Sequence, residues 1–359
     1  MVDKLISMFL ILLLCLKGTN SINCQDGIVH FQWYECITKE NDYFAQGRLG
    51  TVFLVRDINT NRPYIMKISF QNALTDMELQ ILKDMVDQPN VIKLITSASN
   101  TFYNFYILEY AQQGTLREYG KNNLSAHQVL MVFRDIVSGV ASLHSSNYIH
   151  LDIRPENILI MNDNTARLAD FDRAVRIGYY FNYRVITPYV APETKPNTHT
   201  RAEKNMDIYA LGIILYELVY HMKRTPYDNI SDLNLIGYFR LIGIFPVYKG
   251  MPKEILNLLF KTLAPKPDDR ITAKDLLAAV DQTLNNNSYT IIGRDNYYNT
   301  LGQELGPVTN DSILFYFKEV FPFLAIILLS YVFMKRFIEI EAKELGTSLG
   351  TKIVSEYES

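Results

Sequence analysis

The chain has 359 residues, 48% of them apolar and 20% charged, a balance that supports a packed core and excludes a disordered or fibrous polymer. A formal net charge of −3 excludes a nucleic-acid partner held by an overall basic surface. The 24 tyrosines and 19 phenylalanines are dispersed along the chain and read as packing residues.

The N-terminus sets Asp3 against Lys4, runs apolar from Leu5 to Leu16, and continues with Lys17 and small or polar residues from Gly18 to Asn23. About twelve apolar residues cannot cross a ~30 Å hydrocarbon layer at ~1.5 Å per residue. Their length, with small residues after them, predicts a signal peptide over residues 1–20, an uncleaved anchor or cytosolic helix being the alternatives. Residues 21–40 form an N-terminal extension. The three cysteines are Cys15, Cys24 and Cys36; the last two either close a short disulfide loop or stay as free thiols.

From Phe44 to Phe70 apolar runs alternate with polar turns, Thr51–Val55 and Tyr64–Ile68 flanking Asn59-Thr-Asn-Arg62, which predicts a hairpin. Leu74 to Met85 predicts a helix with Leu74, Met77, Leu79, Ile81, Leu82 and Met85 on one side. Val91–Ile95 and Tyr103–Tyr110 read as further strands, and Ala126–His144, Asp207–His221 and Pro252–Leu263 as amphipathic helices. A strand-rich part followed by a larger helical part is an α+β, two-lobed plan over residues 41–284, with a ligand crevice between the lobes.

Residues 285–311 are polar and Asn-rich, the composition of a stalk. Residues 313–334 are apolar apart from Lys318, Glu319 and a few hydroxyls, long enough to span a bilayer if that charged pair snorkels; a buried C-terminal helix is the alternative. Lys335 and Arg336 follow, favouring a cytosolic tail over residues 335–359. Together the ends predict a type I single-pass membrane protein with its folded domain in the secretory lumen or outside the cell. A cytosolic domain on a C-terminal tail anchor is the alternative topology. Sequons at Asn123, Asn229, Asn286 and Asn310 permit the lumenal placement without requiring it.

The chemistry concentrates in His150-Leu-Asp-Ile-Arg-Pro-Glu-Asn157 and, eighteen residues after Asp152, Asp170-Phe-Asp172. Phosphoryl transfer needs the phosphates held, their charge neutralised and the acceptor hydroxyl aligned. Asp152 can orient and deprotonate the hydroxyl, and Arg154 can neutralise the travelling group. Asn157 and Asp170 supply oxygen ligands suited to Mg²⁺.

These segments resemble the protein kinase superfamily over about 245 residues. His150–Asn157 matches the family's H-R-D-L-K-P-E-N segment, and Asp170-Phe171 the first two positions of D-F-G. The resemblance implies a two-lobed kinase fold, a small antiparallel sheet with one helix above a larger helical lobe, using ATP and Mg²⁺ or Mn²⁺ on protein Ser/Thr hydroxyls. Ala45-Gln-Gly-Arg-Leu-Gly-Thr-Val52 resembles the Gly-rich phosphate loop, with Gly47 and Gly50 kept and Ala45 in place of the first glycine. Lys67 resembles the strand lysine that contacts the α- and β-phosphates, and Glu78 its helix partner, eleven residues on rather than the family's longer gap. Glu109 and Ala111 fall in the lobe-joining segment where backbone groups bind adenine. Glu193 with Arg270, and Asp207, resemble structural braces.

Leu151 replaces the arginine of H-R-D, which implies no switching through a phosphorylated loop. Asp172 replaces the glycine of D-F-G. Ile186 stands where Ser/Thr kinases carry a substrate-facing threonine, unless the loop is one residue short and Thr187 takes that place. The Tyr-rich stretch Tyr179–Tyr183 reads as packing, with acceptance of phosphate as the alternative. None of Lys67, Asp152, Asn157 and Asp170 is lost, which favours an active enzyme; a membrane-anchored pseudokinase acting as a binding protein is the alternative.

Overall fold

The computed structural model describes residues 34–36, 45–46, 50–99, 101–182, 187–194, 197–223, 225–226, 240, 245–247, 251–286 and 297–298. The expected signal peptide, spanning segment and tail, with Gly47, Ile186, Cys15 and Cys24, lie outside them. Among the described residues no helix is long and apolar enough to cross a membrane.

The N-terminal lobe is an antiparallel sheet of β1 (Tyr34–Cys36), β2 (Ala45–Gln46), β3 (Gly50–Asp57), β4 (Pro63–Phe70), β5 (Leu94–Ser99) and β6 (Tyr103–Glu109), with α1 (Ala73–Asp84) beside it. The strand order is β1-β3-β4-β6-β5, and β2 pairs with β3. The predicted β3–β4 hairpin forms because Asp57 Oδ1 accepts the amides of Asn59 and Thr60, both at 2.8 Å, while Asn61 takes a left-handed φ of 57° that asparagine tolerates. Tyr34, Val55, Met66, Tyr103, Phe105 and Ile107 make a small core on this sheet.

Helix α1 starts where Asn72 caps it: its side chain accepts the amides of Leu74 and Thr75, and the Thr75 hydroxyl takes the Asn72 amide in return. Leu74 is 47% exposed, so the apolar side predicted for this helix omits its first member. Thr75 and Glu78 are buried in its stead. The N-terminal end is fastened to β6, with Tyr106 donating to Thr75 O at 3.0 Å and Asn104 to Asp76 Oδ1 at 2.8 Å. At the other end Asp84 Oδ2 accepts the hydroxyl of Tyr148 from the lower lobe at 2.7 Å.

The strand expected at Val91–Ile95 begins at Leu94 instead. The apolar run is the same, but Val91 bridges Leu168 and the Ile92 amide bonds Leu168 O, which draws both residues into the lower lobe before the sheet begins. A bulge between Leu94 and Thr96 then resets the register.

The C-terminal lobe holds α2 (Leu116–Tyr119), α3 (Ala126–Ser145), β7 (Tyr148–Ile149), β8 (Ile158–Ile160), β9 (Ala166–Leu168), β10 (Val175–Arg176), β11 (Tyr180–Phe181), β12 (Thr200–Arg201), α4 (Lys204–Val219), α5 (Lys253–Thr262) and α6 (Ala273–Asn286). The large core runs through α3, α4 and α5 and includes Leu79, Ile81, Leu82 and Met85 of α1, so α1 belongs to both lobes. Tyr179 and Tyr180 are 57% and 68% exposed, which corrects the packing reading for these two, while Phe181 of the same stretch packs on the large core. Their segment is held by backbone pairing of β11 with β12.

Candidate active site

Lys67 faces the interior of the crevice from β4, level with Val52 on β3 and Tyr106 on β6. Its ammonium is 2.6 Å from Glu78 Oε1 and 3.2 Å from Asp170 Oδ1. Burial alone would discharge the ammonium, but Glu78 and Asp170 outweigh it and raise the pKa above the ordinary lysine value. The eleven-residue spacing thus still delivers the pair, because the Asn72 cap starts α1 directly after β4.

Val52 pairs with Ala45 across the predicted phosphate loop. A Cβ on Gly50 would lie 2.3 Å from Ile68 O and 2.5 Å from Ser69 Oγ, so only glycine lets β3 approach β4 this closely. Glu109 turns its carboxylate to the Lys93 amide, at 2.9 Å, and to Arg167, at 3.3 Å. Its side chain thereby braces the lobe junction. Ala111 is buried and its carbonyl closes a turn onto Gly114.

Across the crevice, Asn157 donates Nδ2 to Asp152 O at 2.8 Å and Oδ2 at 3.0 Å. The Ala169 amide bonds Asn157 O, which sets Asp170 beside this segment. His150 Nε2 lies 3.0 Å from the Ala169 carbonyl, and its ring is 5.1 Å from that of Phe171. Leu151 and Asp170 hold φ at 61° and 59°, a region that disfavours side chains and persists where surroundings impose it. Asp207, on the first turn of α4, supplies that constraint at Leu151: Oδ1 accepts the Leu151 amide, and Oδ2 accepts the His150 amide and contacts His144 Nε2, each at 2.9 Å.

Lys67, Glu78 and Asp170 are therefore joined directly, Asp152 is joined to Asn157, and the backbone at Ala169 links the two groups. Asp170 keeps a carboxylate 40% exposed toward the crevice, and Asn157 commits its amide nitrogen to Asp152, which leaves its oxygen. One carboxylate and one amide oxygen are the hard donors of a Mg²⁺ site completed by phosphate and water. Among the described residues no group of acidic, His or Cys side chains is placed to hold a metal by itself.

Thr187 lines a cleft with Asp152, Leu151 and Tyr189, while Ile186 lies outside the described residues. Arg154 Nε donates to Glu156 Oε2 at 2.8 Å. Sequence reasoning missed Arg173, whose Nε is 3.7 Å from Asp152 Oδ2, and the group formed by Arg117, Tyr189 and Glu217. The available signal was Glu217, a carboxylate in an apolar helical run that required a buried partner.

A protein kinase domain model matches residues 39–280. Serine/threonine-protein kinase PknL of Mycobacterium tuberculosis is 29% identical over 245 residues, covering 63% of this chain and 60% of its own length. Serine/threonine-protein kinase PrkC of Bacillus subtilis is 28% identical over 253 residues, 65% of this chain and 38% of the relative. The liver/testis phosphorylase b kinase gamma catalytic chain of Mus musculus is 26% identical over 245 residues, 64% and 59% respectively. The matched part thus spans 60% or less of these relatives.

Proposed function

The chain belongs to the protein kinase domain family, and from that premise we propose that it transfers the γ-phosphoryl group of ATP to Ser/Thr hydroxyls of proteins, with a divalent cation, while tethered to a membrane. The observation that carries the reading is Lys67 held between Glu78 and Asp170 across the crevice from a braced Asp152–Asn157 pair. Lys67, Asp152, Asn157 and Asp170 are all kept, and their contacts with Glu78 and with one another support catalysis over binding alone.

In this reading Lys67 holds the α- and β-phosphates, its charge kept by Glu78, and Gly50 lets the backbone approach them. Asn157 and Asp170 would hold Mg²⁺ or Mn²⁺, which would supply positive charge to offset that of the phosphates. Asp152 accepts the proton from the acceptor hydroxyl, and Arg154 lies beside it to neutralise the moving phosphoryl group. The backbone of 109–111 binds adenine, and Thr187 faces the acceptor. Leu151 puts no arginine at the position before Asp152 to meet a loop phosphate, so the mode of control is not that of kinases with arginine there.

The membrane part rests on the apolar runs 5–16 and 313–334, with Lys335 and Arg336 after the second. Sequons at Asn123 and Asn286 fall on exposed residues, as a lumenal domain requires of glycan acceptors. Transfer from labelled ATP to mixed protein acceptors, abolished in Asp152→Ala and Lys67→Ala, is the expected result; ATP binding without transfer refutes the reading. A mobility shift on endoglycosidase treatment is expected for the topology, and a protease-accessible domain in intact microsomes contradicts it.

A further inference from the structure

Arg117 stands on α2, away from the nucleotide groups, yet its guanidinium is shared among the segments that flank Asp152. Nε meets Glu156 Oε1 at 2.9 Å, Nη1 meets Glu217 Oε1 at 2.8 Å, and Nη2 donates to the Tyr189 hydroxyl at 2.6 Å. The Tyr189 hydroxyl donates in turn to Glu217 Oε2 at 2.7 Å. The second oxygen of Glu156 takes Nε of Arg154 at 2.8 Å. Charges of alternating sign thus run from α4 through Arg117 to Arg154 at the crevice.

The Glu217 side chain is only 3% exposed, so its carboxylate depends on these donors. Burial pushes the carboxyl up, with Arg117 and Tyr189 opposing. For Arg117 the bonds to Glu217 and Glu156 exceed the burial penalty and raise its pKa. A planar fork satisfies three partners at once, which a lysine cannot reproduce. Tyr189 and Thr187 lie on one short stretch and both line the cleft with Asp152. Leu151, next to Asp152, is apolar and buried, so no cation at that position fastens this stretch.

We infer that Arg117 is a positioning residue for the acceptor side of the transfer: it ties the Tyr189 stretch to the catalytic segment and holds Glu156 against Arg154, with no phosphate in the connection. The inference rests on the phosphoryl-transfer reading above. It deepens that reading, because it makes the alignment of the acceptor face a built-in property rather than one conferred by modification. The exposed Tyr179 and Tyr180 lie upstream of the fastened stretch, and their modification leaves the fastening intact.

The test uses the full chain, treated with phosphatase and checked by mass spectrometry, with acceptor and ATP varied separately. Treated wild type is expected to keep its rate within about twofold, while Arg117→Met loses about 30-fold in kcat/KM for the acceptor with KM for ATP moved less than about twofold. Arg117→Lys is expected to recover part of the loss. Should Arg117→Met not fold, Tyr189→Phe removes one hydroxyl and keeps the ion pairs, with an expected loss of about threefold to tenfold on the acceptor side alone. Unchanged acceptor kinetics in the folded variants, a parallel rise in KM for ATP, or phosphatase abolishing wild-type transfer overturns the inference alone. Wild type that transfers nothing under any treatment refutes the phosphoryl-transfer reading and this inference with it.

Discussion

Substituting Asp207→Asn keeps shape and removes one charge from a residue that is 1% exposed. The carboxylate accepts the Leu151 amide on one oxygen and the His150 amide and His144 on the other. Asparagine offers a single oxygen. In its better orientation that oxygen keeps His150 and His144, and its NH₂ group then confronts the Leu151 amide. One buried donor is left unsatisfied and a second is added against it, which together cost about 2–4 kcal/mol. The loss falls on the residue whose φ of 61° needs that restraint, one position before Asp152.

Denaturant unfolding should therefore report that loss with an unchanged m-value, a fall in Tm of about 2–4 °C per kcal/mol. Transfer should drop in kcat, with ATP affinity preserved because Lys67 and Glu78 sit on other elements. The pH dependence adds a second check. Burial would raise the Asp207 carboxyl, but the bonds from His144 and His150 prevail and lower it. Its contribution is thus present above the unfolded aspartate value near ~4 and is lost as pH falls through the lower folded value. Wild type and variant should converge in acid. A variant within about 0.5 kcal/mol of wild type at neutral pH, with kcat unchanged, refutes this account of the brace.

Glu78→Gln leaves Lys67 buried with Asp170 as its remaining charged partner at 3.2 Å; a loss of about 2–4 kcal/mol in unfolding and a raised KM for ATP are expected. Because the Lys67 pKa is raised by its partners, its contribution is full below about pH 10.4 and is lost only as pH rises through the higher folded value. Alkaline denaturation of wild type should accordingly begin above that point. Gly50→Ala places a methyl group 2.3 Å from Ile68 O, which parts β3 from β4 at a cost of about 1–3 kcal/mol and weakens ATP binding more than kcat, readable by titration and steady-state rates. Arg270→Lys breaks the fork on Glu193, whose bonds are 2.7 and 2.8 Å, and calorimetry should show a loss of about 2–3 kcal/mol.

The hairpin, α1 and α3 were readable because turn residues, alternation and helical period act within a few residues. Asp152, Asn157 and Asp170 could be grouped in advance because they stand in short segments with fixed spacing, and Lys67 through the family resemblance; the structure places Lys67 against Asp170 and Asp152 against Asn157. Val91 and Ile92 misled because an apolar run does not say which lobe claims it. Leu74 misled because a partner surface beyond the first turn of α1 was assumed. Arg117 and Glu217 are 100 positions apart, and Arg117 and Tyr189 are 72 apart, so no local pattern joins them. Such links exist only once α2, the catalytic segment and α4 have packed.

Helix α1 is moored at both ends, to the sheet by Thr75 and Asp76 and to the helical half by Asp84 and its apolar side. It works as a cross-tie parallel to the joint at 109–111. A pivot of the two halves about that joint would load both moorings. Breathing of the two halves is then sensed directly by Glu78, midway along the tie, and through it by Lys67.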